Sequence, residues 1–365
     1  MFKRDILFVC NTVFQCMTAI TLKHKEFEHD NVDIIISDHM NESYDLYKRI
    51  EGINLFREVF YVETKEYAYY KENIPNNFWE KLRDEAFPHF GKFQITNRYD
   101  IFMIYNVDRF AQTLFSILAK KNKFIEVKLY DEGFSTYTTI YKEFINSISN
   151  ISKKKNILRF FTKRRYLHEN ITGLYLFEPD LICWDCPYPV HKIVKADIND
   201  VEYKNILNNV FGYENIRDTY DARVIFFEEA FSHENIDIGD IELVETLGEI
   251  VGKENIFIKI HPRNPNNRFK KLGYKTNLDT GIPWEIIALN NDFSDRVFVT
   301  ISSSAVLTPR TIFGQNTKTF FLYKCLEKKS PYINDSTEQY FKRFSEKFGD
   351  DFYIVNEIEQ FKLNL

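Results

Sequence analysis

The stretch LFVCNTVFQCMTAI, residues 7–20, decides the fold, because it reads as a strand, a tight loop and a helix in immediate succession. Residues 6–10 are all apolar, as expected of a strand that is buried on both faces. Asn11 and Thr12 then supply side chains that cap helices, and residues 13–23 can continue as a helix. The chain therefore opens with a βα unit.

The alternation of apolar runs and helix-compatible segments continues through the chain in two series. The first series predicts further strands at VDIIIS (32–37), EVFYVE (58–63), YDIFMIYN (99–106) and FIEVKLY (124–130). The second predicts strands at ARVIFFEEA (222–230), NIFIKI (255–260), RVFVTIS (296–302) and KTFFLYK (318–324), with helices at 241–252 and 284–291. Strands buried on both faces and alternating with helices predict parallel, doubly wound α/β sheets.

A proline-rich stretch at 178–197 separates the two series. We therefore predict two Rossmann-like domains, 1–185 and 186–365, which face each other across a cleft. Neither a Gly-x-Gly-x-x-Gly motif nor a Walker loop occurs, so the fingerprints of dinucleotide oxidoreduction and of P-loop phosphoryl transfer are missing.

Composition limits the classes of partner. The net charge of −5 gives the whole chain no attraction for nucleic acid. Neither a signal peptide nor an apolar stretch of membrane-spanning length is found, which predicts a cytoplasmic location. The basic cluster at 153–165 is either a solvated helix face or a surface that contacts the cytoplasmic face of the inner membrane.

The five cysteines are sparse and odd in number, which predicts reduced thiols. Cys183 and Cys186 have the spacing of a metal or redox motif, but no second pair with zinc-site spacing follows them. We therefore predict neither a metal nor a cofactor.

Three predicted strands end in reactive residues, and ligands of open α/β sheets collect at the carboxyl ends of strands. The first is KLYDEGFSTY, residues 128–137, in which Asp131 and Glu132 follow the strand directly and Gly133 permits a sharp turn. Adjacent like charges raise at least one pKa, which suits a general base working near neutrality. Asp-Glu-Gly is also an ordinary turn sequence.

The second strand end is ENIFIKIHPRNPNN, residues 254–267. Strand alternation would project Lys259 and His261 to the same side, and Pro262 and Arg263 follow at once. An ammonium beside an imidazole suits a phosphate, because the lysine supplies charge and the histidine can donate a proton to a departing oxygen. A capped strand end with surface charges is the alternative.

The third strand end is VFVTISSSAVLTPRTIFG, residues 297–314. Ser302, Ser303 and Ser304 stand where a helix is predicted to begin, and hydroxyls with free backbone N–H groups form an anion site there. Glu285, at the start of another predicted helix, either stabilises the helix dipole or binds paired ribose hydroxyls.

In this order, the acidic-acidic-Gly, His-Pro, Glu and serine motifs resemble those of bacterial sialyltransferases. The segment LFVCNTVFQCMTAI also resembles the opening of glycosyltransferase family 52, the lipooligosaccharide sialyltransferases, through Thr12-x-x-Gln15. A related family makes polysialic acid. The resemblance implies a GT-B architecture, a CMP-sialic acid donor, an oligosaccharide acceptor and a homodimer.

The resemblance also implies a role for each matching residue. His261 would be the general acid, with Lys259, Pro262 and Arg263 beside it. Glu285 would bind the ribose, and the phosphate ligands would be Ser302, Ser303 and Ser304. The remaining roles fall to residues of the first domain: Glu132 or Asp131 as general base, and Asn11, Thr12, Gln15 and Gly133 as substrate-binding residues.

Two further questions stay open on the sequence. Asp240 is a reserve candidate for the base, because it belongs to an acidic segment that precedes the His-Pro strand. The rival functions are a GT-B enzyme that uses another nucleotide sugar and a non-catalytic module that binds nucleotides or carbohydrates.

Overall fold

The computed structural model describes residues 2–65, 93–153, 165–216, 218–264, 266–278 and 280–365. The chain divides into two compact units, Met1–Val194 and Lys195–Leu365, each built on a parallel sheet. The predicted class, α/β with two Rossmann-like domains, is therefore confirmed. The division falls later than the predicted boundary after residue 185, because Val190–Lys192 is a strand that pairs with the first sheet.

In the described part of the first domain, the sheet has seven parallel strands in the order β3-β2-β1-β4-β5-β6-β7. They are β1 (Asp5–Cys10), β2 (Asn31–Ser37), β3 (Val59–Val62), β4 (Ile101–Ile104), β5 (Glu126–Tyr130), β6 (Ile171–Leu176) and β7 (Val190–Lys192). Strand β1 lies inside the sheet, where Phe8 is opposite Ile34 of β2 and Met103 of β4. All its residues after Asp5 are buried, in keeping with the apolar run.

The described helices of the first domain are α1 (Val13–Lys25), α2 (Ser43–Gly52), α3 (Arg109–Lys121), α4 (Phe134–Tyr137) and α5 (Thr139–Lys153). Helix α1 begins where the sequence predicts it. The Thr12 hydroxyl accepts a hydrogen bond from the backbone N–H of Gln15 at 3.2 Å, so it satisfies one of the first free donors of the helix.

In the described part of the second domain, six parallel strands follow the order β10-β9-β8-β11-β12-β13. They are β8 (Val224–Phe227), β9 (Ile256–Lys259), β10 (Lys275–Thr276), β11 (Val297–Thr300), β12 (Lys318–Phe321) and β13 (Phe352–Ile354). The described helices are α6 (Val201–Phe211), α7 (Asp240–Val251), α8 (Arg268–Lys271), α9 (Trp284–Asn290), α10 (Thr308–Phe313), α11 (Asp335–Phe348) and α12 (Ile358–Asn364).

The aromatic C-terminal segment belongs to the core of the second domain. The ring of Phe341 on α11 lies 4.4 Å from that of Phe321, and the ring of Phe361 on α12 lies 4.9 Å from that of Phe320. Both partners are on β12, so the segment covers this strand and extends the sheet with β13.

The strand orders fix where a ligand site is expected in each domain. In doubly wound sheets, ligands bind at the carboxyl ends of the two strands between which the order reverses. These are β1 and β4 in the first sheet and β8 and β11 in the second. The loops after these strands, and after their neighbours β5 and β9, carry the residues singled out from the sequence.

Candidate active site

Asp131, directly after β5, is buried and fully engaged by the protein. Its Oδ1 accepts the N–H of Gly133 at 2.7 Å, and its Oδ2 accepts the Tyr137 hydroxyl and the N–H of Phe177. Burial raises the pKa of Asp131 to about 6, against the opposing effect of these hydrogen bonds. With its oxygens already occupied, Asp131 fixes the turn and is the poorer of the two candidates for the base.

Glu132 is only partly buried and lies beside the loop after β1. Burial raises the pKa of Glu132 to about 7, although interactions with the side chains of Thr12 and Gln15 oppose the rise. A carboxyl group with this pKa is partly ionised at neutral pH and can accept a proton from a substrate hydroxyl. Its environment therefore fits a general base.

The loop after β1 holds an acceptor group that has no partner among the described residues. The backbone N–H of Asn11 donates to the Gln15 Oε1 at 2.7 Å, and the Gln15 Nε2 donates to the Asn106 Oδ1 at 3.0 Å. Asn11 is 8% exposed, yet its Oδ1 accepts no hydrogen bond from any described residue. A buried polar atom without a partner is costly, so Asn11 Oδ1 fits a ligand hydroxyl.

Two further residues, Tyr105 and Asn106, lie beside Glu132 and Gln15 and are not among those predicted from the sequence. Both follow β4, which pairs with β1. The charge of Glu132 helps to raise the pKa of Tyr105, after the larger effect of burial, and the Tyr105 hydroxyl lies 2.8 Å from that of Ser135. The usable signal was that both end a predicted strand at the point where the sheet order reverses.

Gly133 has the backbone conformation that the sequence suggested. Its φ of 88° and ψ of −155° are essentially restricted to glycine. The turn brings the N–H of Gly133 back to Asp131 while the chain continues into α4.

In the second domain, His261 lies just beyond β9. Its backbone N–H donates to Glu228 Oε2 at 3.1 Å, and its Nδ1 accepts the backbone N–H of Arg263 at 3.2 Å. Because Nδ1 is an acceptor, the proton of the neutral ring is on Nε2. Burial, with the charges of Arg263 and Lys259, lowers the pKa of His261 to about 4.

Lys259 and Glu285 lie in the same environment. Burial lowers the pKa of Lys259, and the charge of Glu285 opposes this effect. Burial raises the pKa of Glu285, and the charge of Lys259 and an interaction with the Thr308 side chain of α10 oppose the rise. The Lys259 ammonium is also 6.0 Å from the centre of the Trp284 ring. The structure thus brings together the lysine, the histidine and the glutamate predicted to bind the nucleotide.

Adjacent carboxylates after β8 hold the His-Pro loop and the serine loop. Glu228 accepts the His261 N–H, while Glu229 Oε1 accepts the N–H of Ser302 and its hydroxyl, the latter at 3.3 Å. The Asn264 amide donates to the backbone carbonyl of Glu229 at 2.9 Å. The two loops therefore meet at the carboxyl end of β8.

The serine run departs from the predicted helix start. Ser302 is buried, and Ser303 donates its N–H to the Thr300 hydroxyl at 2.9 Å. Ser304 begins a single 3-10 turn, Ser304–Leu307, before the short helix α10. The helix-dipole contribution inferred from the sequence therefore does not apply, and side chains and individual N–H groups remain as ligands.

Asp240, the reserve candidate for the base, lies in the first turn of α7 and is paired. Arg268 donates to both of its carboxylate oxygens and, at 3.0 Å, to Glu228 Oε1. The side chains of Asp240 and Glu228 are 5% and 1% exposed, so the guanidinium compensates two buried charges. This environment differs from that of Glu132, which faces no cation among the described residues that perturb its pKa.

The other sequence candidates have simpler surroundings. Arg263, which follows Pro262 in the turn after β9, is 59% exposed and lies 3.8 Å from Glu234. Within the described ranges, no group of three or more His, Cys, Asp or Glu residues is arranged to hold a metal ion. No helix of the described chain is long and apolar enough to cross a membrane. Most of the basic cluster at 153–165 lies outside the described residues.

Two Rossmann-like domains built on parallel sheets of this topology define the GT-B fold. The chain belongs to the alpha-2,8-polysialyltransferase family, whose model matches residues 6–322. The predicted membership of a bacterial sialyltransferase family is thereby confirmed, although the matching model is not that of glycosyltransferase family 52. No curated protein matches this chain.

Solved structures of nucleotide-sugar enzymes share the fold. LpCGTa in complex with UDP is 12% identical, with a TM-score of 0.50 over 97% of this chain and 85% of that one. UGT89C1 of Arabidopsis thaliana with quercetin is 9% identical, with a TM-score of 0.49 over 99% and 89% of the two chains. The Neisseria meningitidis UDP-GlcNAc 2-epimerase is 14% identical, with a TM-score of 0.42 over 100% and 94%.

Proposed function

We propose that this protein is an inverting sialyltransferase that moves sialic acid from CMP-sialic acid to a hydroxyl of a bacterial surface glycan. The family match over residues 6–322 is the observation that carries the proposal. The family name favours an acceptor that ends in sialic acid, whose 8-hydroxyl would be the nucleophile. A terminal galactose of a lipooligosaccharide or capsule, the acceptor expected from the sequence, is the alternative.

The first domain would supply the general base. Glu132, with its pKa raised by burial to about 7, would take the proton of the acceptor hydroxyl as the hydroxyl oxygen attacks the anomeric carbon. Asn11 Oδ1, buried and without a partner among the described residues, would accept a hydrogen bond from a neighbouring hydroxyl of the acceptor. Gln15 and Thr12 would keep the carboxylate and this amide in place.

The second domain would supply the acid. Without donor, His261 is neutral at neutral pH and carries its proton on Nε2. A bound phosphate brings negative charge that raises the pKa of the imidazole, so a proton is taken up at Nδ1 as the donor binds, in place of the hydrogen bond from the Arg263 N–H. As the bond between sialic acid and CMP breaks, the imidazolium gives this proton to the leaving phosphate oxygen.

The remaining contacts would hold the nucleotide. Lys259 would add positive charge beside the phosphate, Ser303 and Ser304 would donate hydrogen bonds to it, and Glu285 would accept the ribose hydroxyls. Lys259 and Glu285 are half-buried, which favours this assignment, because charge–charge and charge–dipole interactions are stronger where water is partly excluded. Ser302, already bound by Glu229, would support the neighbouring serines.

The test is a transfer assay with purified protein and CMP-sialic acid. One reaction receives lactose and another an oligosaccharide that ends in sialic acid, and products are identified by mass. We expect transfer in at least one reaction. Turnover of a UDP- or GDP-sugar alone would refute the donor, and CMP binding without any transfer would favour a binding module.

The role of His261 is tested in the same assay. His261→Ala should slow transfer by about 10²–10⁴-fold while CMP still binds, because one proton-transfer group is lost. His29→Ala, which changes an exposed histidine of the first domain, is the control. Near-normal turnover in His261→Ala would exclude the leaving-group role.

The cytoplasmic location, the contact of residues 153–165 with the inner membrane and the homodimer are separate parts of the proposal. Light scattering of the purified protein measures its mass in solution. Co-sedimentation with anionic vesicles, compared with neutral vesicles, tests the membrane contact.

A further inference from the structure

Glu229 accepts the hydrogen bonds from the Ser302 N–H and hydroxyl that a bound anion would be expected to accept. Its Oε1 accepts hydrogen bonds from the Thr300 hydroxyl at 2.9 Å, from the Ser302 N–H and from the Ser302 hydroxyl at 3.3 Å. The residue is 5% exposed, so these groups and not water satisfy the oxygen. The Ser302 hydroxyl is also 3.3 Å from that of Ser330, which closes the other side.

The surroundings of Glu229 do not neutralise a negative charge well. Asp240 and Glu228 lie near it and share Arg268 as their cation. The Tyr332 hydroxyl, whose pKa is raised partly by Glu229, donates instead to Glu234. Burial raises the pKa of Glu229 to about 7, and the Coulombic effect of Asp240 acts in the same direction.

We propose that Glu229 is a positioning residue that anchors the serine loop as an internal anion, and that its negative charge weakens binding of the donor phosphate next to it. The proposal rests on the proposed function, because it assumes that Ser303 and His261 bind the donor phosphate. Ser303 follows the anchored Ser302 directly, and the residue before Glu229 holds His261. A phosphate on these two residues would therefore experience the charge of Glu229 through a poorly screening interior.

The anchor has a consequence for the pH dependence of donor binding. When Glu229 is protonated, its carbonyl oxygen can still accept the three hydrogen bonds, but the repulsion disappears. When it is ionised, the hydrogen bonds remain and the repulsion opposes the phosphate. Nucleotide affinity should therefore fall as pH rises through the pKa of this carboxyl group.

Two variants separate the anchor from the charge. Glu229→Gln keeps the size and an amide oxygen that can accept the same hydrogen bonds, but carries no charge. Glu229→Ala removes both the acceptor oxygen and the charge. Glu249→Gln, an exposed glutamate on α7 of the same domain, is the matched control.

The first measurement is the dissociation constant of CMP by calorimetry between pH 6 and 8.5. We expect the ratio of the wild-type constant to the Glu229→Gln constant to rise by roughly three- to tenfold over this range, because only the wild type must also take up a proton at residue 229 for tight binding. Titration of His261 and of CMP itself is common to both proteins and cancels in the ratio. A ratio that stays constant with pH would overturn the role of the charge.

The second measurement is hydrogen exchange at the backbone amides of residues 302–304, which needs no ligand. Exchange should be slow in the wild type and in Glu229→Gln and fast in Glu229→Ala. Equal protection in all three proteins would overturn the anchor. CMP that displaced Glu229 from Ser302 would speed exchange at Ser302 in the wild-type complex, which would also contradict the proposal.

The outcomes distinguish this inference from the proposed function. Failure of the wild type to bind CMP or to transfer sialic acid counts against the proposed donor. Amide exchange at residues 302–304 then still decides whether Glu229 anchors the loop. Normal transfer together with a pH-independent ratio of dissociation constants would keep the function and refute the inference.

Discussion

In the described part of the chain, two pairs of adjacent carboxylates directly follow buried strands, and the pairs differ in how many of their oxygens are free to contact a ligand. In the first domain, Asp131 is fully hydrogen-bonded and Glu132 is only partly buried beside Asn11, which has an acceptor oxygen without a partner among the described residues. In the second domain, Glu228 and Glu229 are both buried and both engaged by protein groups.

The comparison shows that a raised pKa does not by itself identify a general base. Burial raises the pKa of Glu132 and of Glu229 to about 7 in both cases. The difference lies in access: Glu229 gives its acceptor oxygen to Ser302 and Thr300, whereas Glu132 lies at a partly open position. We therefore propose that the same strand-acid-acid pattern serves proton transfer in the first domain and loop anchoring in the second.

The largest expected effect tests this division of roles. Glu132→Gln should lower the rate of sialic acid transfer by about 10²–10⁴-fold, because an amide cannot accept the acceptor proton, while CMP affinity stays unchanged. Glu229→Gln should retain most of the activity at pH 6. Initial rates and calorimetry measure both. Full activity of Glu132→Gln together with loss in Glu229→Gln or Asp240→Asn would reverse the comparison.

Arg268 provides the next largest effect, on stability. Arg268→Ala leaves the buried carboxylates of Glu228 and Asp240 without their cation, so the free energy of unfolding should fall by about 3–5 kcal/mol. Urea denaturation measures the change. Arg296→Ala, which removes an ion pair with the exposed Asp295, should cost less than about 1 kcal/mol.

Two further substitutions, added to Arg268→Ala, test why the loss of Arg268 destabilises the protein. Adding Glu228→Gln and Asp240→Asn to Arg268→Ala should restore part of the lost stability, since neutral amides need no cation. No recovery would mean that the packing of the Arg268 side chain, and not the two charges, stabilises the second domain.

The sequence predicted all the interior strands except β6, because most of them are runs dominated by apolar residues. Strands β6, β7, β10 and β13 were missed. Strand β6 includes Thr172 and Gly173, and β7, β10 and β13 have only two or three residues and exposed or half-buried positions, so no apolar run marks them. The missed β7 also explains why the predicted domain boundary lies too early.

Only those residues of the candidate site that directly follow a predicted strand could be identified from the sequence. Asp131, Glu132 and His261 follow apolar runs, so local pattern was sufficient. Partners that distinguish them come from distant segments: the backbone N–H of Phe177 donates to Asp131, and Arg268 neutralises Asp240. Such pairings depend on tertiary contacts that no short spacing encodes.

The pH dependence of stability is a smaller expected effect, and it has the same sign for Glu132 and for Glu229. Glu132 and Glu229 have folded-state pKa values of about 7, above the ordinary value for glutamate, so each binds its proton more tightly in the folded chain. Their contribution to stability is full below about pH 4 and is lost as pH rises through 7. Through these two groups the free energy of unfolding should therefore fall between pH 5 and 8, whereas the lowered pKa of His261 acts in the opposite direction below about pH 6.5.

Replacing each glutamate by glutamine isolates its share of the stability that is lost as pH rises. Glu229→Gln should flatten the fall by about 2 kcal/mol, and Glu132→Gln by less, because solvent screens a partly exposed group. Denaturation at pH 5, 6.5 and 8 measures the slope, with Glu249→Gln as control. If the free energy of unfolding of Glu229→Gln fell with pH as steeply as that of the wild type, the Glu229 carboxyl group would be ionised over the whole range from pH 5 to 8. In that case the charge-dependent part of the anchor model is also lost.

Thr12 gives the smallest effect and sharpens the assignment of Glu132. Thr12→Ala removes the cap of α1, which should cost about 1 kcal/mol, and also removes an interaction that lowers the pKa of Glu132. The ascending limb of the rate–pH profile, which reports ionisation of the base, should therefore move to higher pH by a few tenths of a unit. Thr12→Ser keeps the hydroxyl and should leave the profile in place. If both variants keep the wild-type profile while only Thr12→Ala loses stability, Thr12 caps the helix without tuning the base, and the proton acceptor must be sought away from this loop.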